Sequence, residues 1–130
     1  MTIPELYHVF NQHPIIDTDT RSIRKGSLFF ALKGERFNGN TFAQQALEKG
    51  AAYAVVDEKE VVLNDRMLLV DDCLNTLQQL AAYHRKQLGL PIVALTGSNG
   101  KTTTKELINC VLSTKFKVIA TQGNLNNHIG

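Results

Sequence analysis

Between residues 92 and 112 the chain passes from an apolar run, through a turn bracketed by glycines, into a stretch of helical periodicity. Few folds accommodate that succession. Ile92, Val93, Ala94 and Leu95 are followed by the first polar side chain at Thr96. A continuous apolar run suits a parallel strand covered on both faces. Residues 97–100 read as a turn, and Leu107, Ile108, Val111 and Leu112 then recur on one face of a helix over 101–112. Strand, tight turn and helix in that order open a βαβ unit, so the chain is expected to be α/β, with a further strand at 117–120.

Upstream, Ile3, Leu6, Tyr7 and Phe10 predict a short helix over residues 3–11, stopped by Pro14. Residues 17–25 are polar. Residues 27–32 read as a buried strand and 33–40 as a loop, because Gly34, Gly39 and two asparagines interrupt them. Thr41 is the expected N-cap of a helix over 42–49, with Gly50 as its stop. Strands are expected at 53–57 and 67–70. Asp71 or Asp72 then caps a long helix carrying Leu74, Leu77, Leu80, Ala81, His84 and Leu88 on one face, ended by Gly89 and Pro91.

The charge is uneven. Residues 1–83 hold 8 Lys plus Arg against 11 Asp plus Glu, a net of −3; residues 84–130 hold 6 against 1, a net of +5, giving +2 in all. That asymmetry suggests different partners for the two parts, divided here at 83/84. Only Phe116 interleaves with the late lysines, which speaks against nucleic acid and for a small polyanion such as a nucleotide. No apolar run is long enough to span a bilayer. The start, Met-Thr-Ile-Pro-Glu, lacks the basic and apolar regions of a secretory signal, so a cytoplasmic protein is expected. Cys73 and Cys110 have no framework or metal-ligand spacing and read as reduced, partly buried thiols. His8, His13 and His128 suggest no metal site, and His84, on an apolar face, reads as structural.

The segment with chemistry in it is Thr96-Gly97-Ser98-Asn99-Gly100-Lys101-Thr102-Thr103-Thr104. A glycine-rich turn between strand and helix lets successive N–H groups point at one phosphate, and the helix N-terminus adds unpaired donors and a positive dipole end. Gly97, Ser98, Asn99, Gly100, Lys101, Thr102 and Thr103 are therefore the expected nucleotide-binding residues. Lys101 would reach the β- and γ-phosphates as the catalytic cation, and the Thr102 hydroxyl would ligate Mg²⁺. The common pattern G-x-x-x-x-G-K-[ST] would require glycine at position 95, where Leu95 stands. The alternative is a plain strand-to-helix turn with an incidental lysine. That alternative explains poorly why three β-branched threonines begin the helix.

With the glycine at Gly97, the segment resembles the ATP-binding loop of the Mur ligases, T-G-x-x-G-K-[ST]-[ST]. Two other regions agree in order and spacing. Thr20-Arg21, then Gly26-Ser27-Leu28-Phe29-Phe30-Ala31-Leu32-Lys33-Gly34 and Asn38-Gly39-Asn40, resemble the uridine-nucleotide domain of the family's third and fourth amino-acid-adding members. Lys101-Thr102-Thr103-Thr104-Lys105-Glu106 and Gly123-Asn124-Leu125-Asn126-Asn127-His128-Ile129-Gly130 are similar to the member that adds a dipeptide. Thr20 stands where many relatives carry Ser, and Asn38 where many carry Asp.

The resemblance implies a small mixed-sheet UDP-binding domain over residues 1–83. Over 84–130 it implies the first strand–loop–helix–strand unit of a parallel-sheet ATPase domain. It implies ATP and Mg²⁺ as cofactors, and UDP-N-acetylmuramoyl-tripeptide and D-alanyl-D-alanine as substrates, joined through an acyl phosphate in peptidoglycan precursor synthesis. Thr20, Arg21, Lys33 and Gly34 would meet the uridine nucleotide, and Asn126 and Asn127 the sugar-peptide. Residues supplying the rest of the ATP site would lie beyond Gly130, so the chain alone is expected to be inactive, with uncovered apolar surface that could pair with another copy. Other expectations remain: a non-catalytic nucleotide-binding or oligomerising module, or the related member that adds a diamino acid.

Overall fold

Leu28, Phe29 and Phe30 are wholly buried, and the first part of the chain is built around the strand they form. The computed structural model describes residues 1–122 and divides into two units, Met1–Gly89 and a second starting at Leu90. In chain order the first unit runs α1 (Ile3–Gln12), β1 (Ile16–Asp17), β2 (Leu28–Phe30), β3 (Lys33–Gly34), β4 (Phe37–Asn38), α2 (Ala43–Glu48), β5 (Tyr53–Val56), β6 (Met67–Leu69) and α3 (Cys73–Leu88). Single-turn 3-10 helices lie at Thr20–Ser22, Gly39–Phe42 and Lys59–Val61.

Four strands form one sheet in the order β1-β2-β5-β6, and every pairing is parallel. Leu28 sits opposite both Ile16 and Tyr53, and Ala54 opposite Met67. The two central strands carry the apolar runs: β2 is buried throughout, as is β5 except at Tyr53, while edge strand β6 leaves Leu69 38% exposed. Each buried phenylalanine of β2 contributes roughly 1.5–3 kcal/mol through area removed from water. Helix α1 packs on α3, α3 on β2 and α2 on β5, which encloses Leu6, Ala43, Ala46, Leu47 and Leu80.

The fold class is as expected, with parallel and antiparallel pairing both present, the antiparallel pair being the separate ribbon β3–β4. Several finer expectations need correction. That ribbon lies inside the stretch expected to be loop. Strand β1 falls at the start of the polar stretch, where Asp17 ends it and pairs with Arg24. Thr41 is not an N-cap: its Oγ1 donates to the Asn38 carbonyl at 2.8 Å, and α2 begins after a 3-10 turn. Asp72 caps α3 by accepting from the Asn75 N–H at 2.6 Å. The buried side of α3 runs through Cys73, Leu77, Leu80 and His84, whereas Ala81 and Leu88 are exposed. Gly89 closes α3 in the left-handed conformation (φ 60°), so the units divide there and not at 83/84, which lies within an unbroken helix.

The second unit contains α4 (Lys101–Ser113). Residues 92–96 and 117–120 are not strands. A strand exists through the backbone of a neighbour, and among the described residues neither segment has one. No described residue of this unit is buried; Ile92, Val93, Leu107 and Val111 are all exposed. No helix among the described residues is long and apolar enough to cross a membrane.

Candidate functional site

In an all-parallel sheet the carboxyl ends of the strands share one edge, and the loops leaving that edge are where open α/β sheets bind ligands. Asp17 ends β1, Lys33 follows β2, and Asp57 and Glu58 follow β5. Lys33 Nζ donates to Asp57 Oδ1 at 2.8 Å and to Glu58 Oε1 at 3.1 Å. Asp57 Oδ1 also accepts from Asn40 Nδ2 at 2.7 Å, and Asn38 Oδ1 accepts from the same amide at 3.0 Å. Asn38 Nδ2 closes the circuit by donating to Glu58 Oε1 at 3.0 Å. Five side chains therefore form one hydrogen-bonded ring joining the β3–β4 ribbon to the end of β5. The backbone joins in: Asp57 N–H donates to Asn40 Oδ1, and Asp57 Oδ2 accepts from the Cys73 N–H at the start of α3.

Asn40 is 1% exposed and the Asp57 side chain 8%, so the ring's inner half is shielded from water. Burial by itself would raise the Asp57 carboxyl, but Lys33, Asn40 and the Cys73 N–H together outweigh it and hold the carboxyl below its ordinary value. Asp17 behaves alike, with Arg24 overcoming its burial; Arg24 Nε and Nη2 donate to Oδ1 at 2.8 and 2.6 Å. A carboxyl held low when folded stabilises above its unfolded pKa and stops doing so as pH falls through its folded pKa. The first unit should therefore keep these contributions above the ordinary aspartate value of 3.8 and lose them progressively at lower pH. Urea midpoints measured across that range, in wild type and Asp57→Asn, check this: the acid-induced loss should shrink in the variant.

Arg21, expected to meet the uridine nucleotide, is 88% exposed and grips its neighbour Asp19, with Nη2 donating to Oδ2 at 2.5 Å. That bond holds the Asp19 carboxyl at about 2. The Thr20 carbonyl accepts from Lys49 Nζ at 2.7 Å. Gly34 has open space around it. Arg21 and Lys33 thus have different carboxylate partners. Asp57, Glu58 and Asn40 were not singled out as site residues from sequence. The signal for Asp57 was its position immediately after a predicted parallel strand. Cys73 is buried and its thiol is pushed up to about 12 by that burial, so it carries no thiolate chemistry; Cys110 is exposed, contrary to expectation. His84 is half-buried, its ring edge-on to Phe10 and its Nδ1 3.2 Å from the Tyr7 hydroxyl.

In the second unit, Gly97 and Gly100 take φ of 147° and 76°, conformations that favour glycine, and a Cβ at either would meet nothing within 4 Å. Gly100 precedes α4 as its N-cap, and no side chain caps that end. The helix-opening donors and dipole at Lys101, Thr102 and Thr103 therefore have no side-chain cap. Lys101 Nζ bends back over the loop to donate to the Gly97 carbonyl, which keeps the ammonium above the turn. Ser98, Asn99 and Thr102 are exposed. An uncapped helix end, an open glycine turn and a cation folded over it fit a phosphate chain. For a divalent ion the described residues offer no cluster of three or more His, Cys, Asp or Glu, so the Thr102 hydroxyl fits it only alongside phosphate oxygens. Lys105 Nζ ties α4 to the returning chain at the Thr121 carbonyl. Asn126 and Asn127 lie outside the described residues.

Residues 14–85 match the pattern described as the Mur ligase family, catalytic domain, and residues 95–130 match the Mur ligase middle domain. The UDP-N-acetylmuramoyl-tripeptide–D-alanyl-D-alanine ligase of Bacillus subtilis is 49% identical over 118 residues, which cover 88% of this chain and 26% of the relative. The enzyme of the same name from Escherichia coli is 44% identical over 115 residues, 88% of this chain and 25% of the relative. Among solved structures, MurF from Acinetobacter baumannii superposes with a TM-score of 0.83 at 36% identity, covering 98% of this chain and 31% of that one. MurF ligase from Thermotoga maritima in complex with ADP gives 0.75 at 39% identity, covering 86% and 26%. The chain thus spans about a quarter of the length of the curated relatives it matches. The uncapped glycine-lysine turn of the second unit and the family pattern across most of the first lead to one assignment: this chain belongs to the Mur ligase family.

Proposed function

We propose that the chain forms the uridine-nucleotide unit and the start of the ATP unit of an ATP-dependent ligase that joins D-alanyl-D-alanine to UDP-N-acetylmuramoyl-tripeptide, working in the cytoplasm. The observation that carries this reading is the uncapped start of α4, where Gly100, Lys101 and Thr102 stand together with the Lys101 ammonium bent over the turn. The curated relatives bear the name of that ligase, and the Thermotoga structure holds ADP, which supports the same reading.

In this reading the N–H groups of residues 97–103 hold phosphate oxygens, and Lys101 neutralises charge as a phosphoryl group moves to the peptide's terminal carboxylate. The Thr102 hydroxyl helps hold Mg²⁺, which supplies Lewis-acid polarisation of the phosphates. Residues of the first unit bind and orient: Thr20, Arg21, Lys33 and Gly34 meet the uridine-nucleotide end. Asn126 and Asn127 are assigned to the sugar-peptide by family resemblance alone.

The test uses a protein carrying this chain through to the relatives' length. Phosphate release should require UDP-N-acetylmuramoyl-tripeptide and D-alanyl-D-alanine together. Turnover with a free diamino acid in place of the dipeptide would overturn the assignment in favour of the other branch of the family.

A further inference from the structure

We propose that Lys33 serves the nucleotide site as an oriented hydrogen-bond donor to an uncharged acceptor, a carbonyl or hydroxyl, and not as a counter-charge to phosphate. The inference rests on the reading that the first unit binds a uridine-nucleotide end. One ammonium stands between two carboxylates, Asp57 Oδ1 at 2.8 Å and Glu58 Oε1 at 3.1 Å, so the group carries a net charge of −1. Neither carboxylate is free to swing away. Asn40 Nδ2 holds Asp57 Oδ1, and Asn38 Nδ2 holds Glu58 Oε1. Of the three ammonium N–H groups, two are taken and one remains. The Lys33 side chain is 45% exposed, so that donor can reach a ligand.

A second source of positive potential, the start of α3, is partly occupied as well. The start of α3 would ordinarily favour an anion. Here the Cys73 N–H goes to Asp57 Oδ2 at 3.1 Å, and the Asn75 N–H goes to Asp72 Oδ1 at 2.6 Å. The chain's own carboxylates have taken the lysine's charge and two N–H groups of the helix end. A phosphate brought to this corner meets net negative charge, whereas a neutral acceptor meets one well-aimed donor.

The experiment titrates this 130-residue chain with uridine and with UDP, followed by NMR shifts at low and high ionic strength. Glu58→Gln removes one negative charge and leaves the Asp57 anchor, so it should raise affinity for UDP relative to uridine. A ligand-selective change of this kind is not produced by a merely loosened fold. Lys33→Met combined with Glu58→Gln keeps the group's net charge at −1 and removes the donor, so relative to wild type the pair should weaken both ligands by the same factor, roughly five- to tenfold for one lost hydrogen bond, at either ionic strength. Three results overturn the proposal: the double variant costing UDP more than uridine with the difference fading in salt, the double variant affecting neither ligand, or Glu58→Gln alone leaving the ratio unchanged. If wild type binds neither uridine nor UDP, the uridine reading itself fails, and that failure is visible before any variant is made. Should the double variant not fold, the Glu58→Gln ratio decides.

Discussion

Lys101→Met, placed in a protein of the relatives' length, is expected to lower kcat by about a thousandfold, about 4 kcal/mol of transition-state stabilisation. The side chain keeps its length and loses its charge. The backbone that carries it is not at risk, because α4 starts from Gly100 and its first helical bond, Thr104 N–H to the Gly100 carbonyl at 2.9 Å, involves no lysine atom beyond the main chain. The KM for the tripeptide substrate should stay near wild type, since the proposed function gives that ligand to the first unit. Single-turnover phosphate release and binding titrations separate the two effects. A variant that kept turnover within tenfold of wild type would remove Lys101 from the phosphoryl-transfer step.

The second large effect is on folding. A Cβ added at Gly39 would sit 2.5 Å from the Leu32 carbonyl oxygen, 2.6 Å from the Ala31 carbonyl carbon and 2.8 Å from the Ala31 Cα. All three are backbone atoms at the end of the most buried strand, so no side chain can turn aside. The Gly39 N–H also donates to that same Leu32 oxygen at 3.0 Å, so relief by separation breaks a hydrogen bond. Gly39→Ala should destabilise the first unit by about 3 kcal/mol, read as a lowered urea midpoint. Gly34→Ala, with open space around it, should stay within about 0.5 kcal/mol. Because Gly39 sits between Asn38 and Asn40, the folded fraction of Gly39→Ala should also lose the ring around Lys33, visible as shifted Asn38 and Asn40 side-chain amide resonances.

Local pattern carried much of the first unit. The apolar runs at 28–32 and 53–56 became the two central strands, because strands buried on both faces need uninterrupted apolar side chains and show that need in one dimension. The long helix was legible from Asp71 or Asp72 at one end, of which Asp72 is the cap, to Gly89 at the other, since capping depends on neighbours in sequence. Its buried side was not, and Ala81 and Leu88 ended exposed. Which face is covered depends on where α1 and the sheet lie, and no periodicity records that. The short strand β1 was missed because two residues carry no period and its closing Asp17 looks polar until Arg24 arrives to pair with it.

The sequence was enough for the two central apolar strands, for the long helices α3 and α4, and for the glycine-lysine turn, which consecutive residues define. Tertiary structure decided everything that requires a partner from elsewhere in the chain. Residues 92–96 have a strand's composition yet form none, because a ladder needs a second backbone alongside. Lys33 is expected from sequence only to meet a nucleotide, and in space it is paired first within the chain, because Asp57 and Glu58, more than twenty positions away, arrive at the same edge of a parallel sheet. Charge is a property of residues, but potential is a property of their arrangement, and only the fold sets the distances on which it depends.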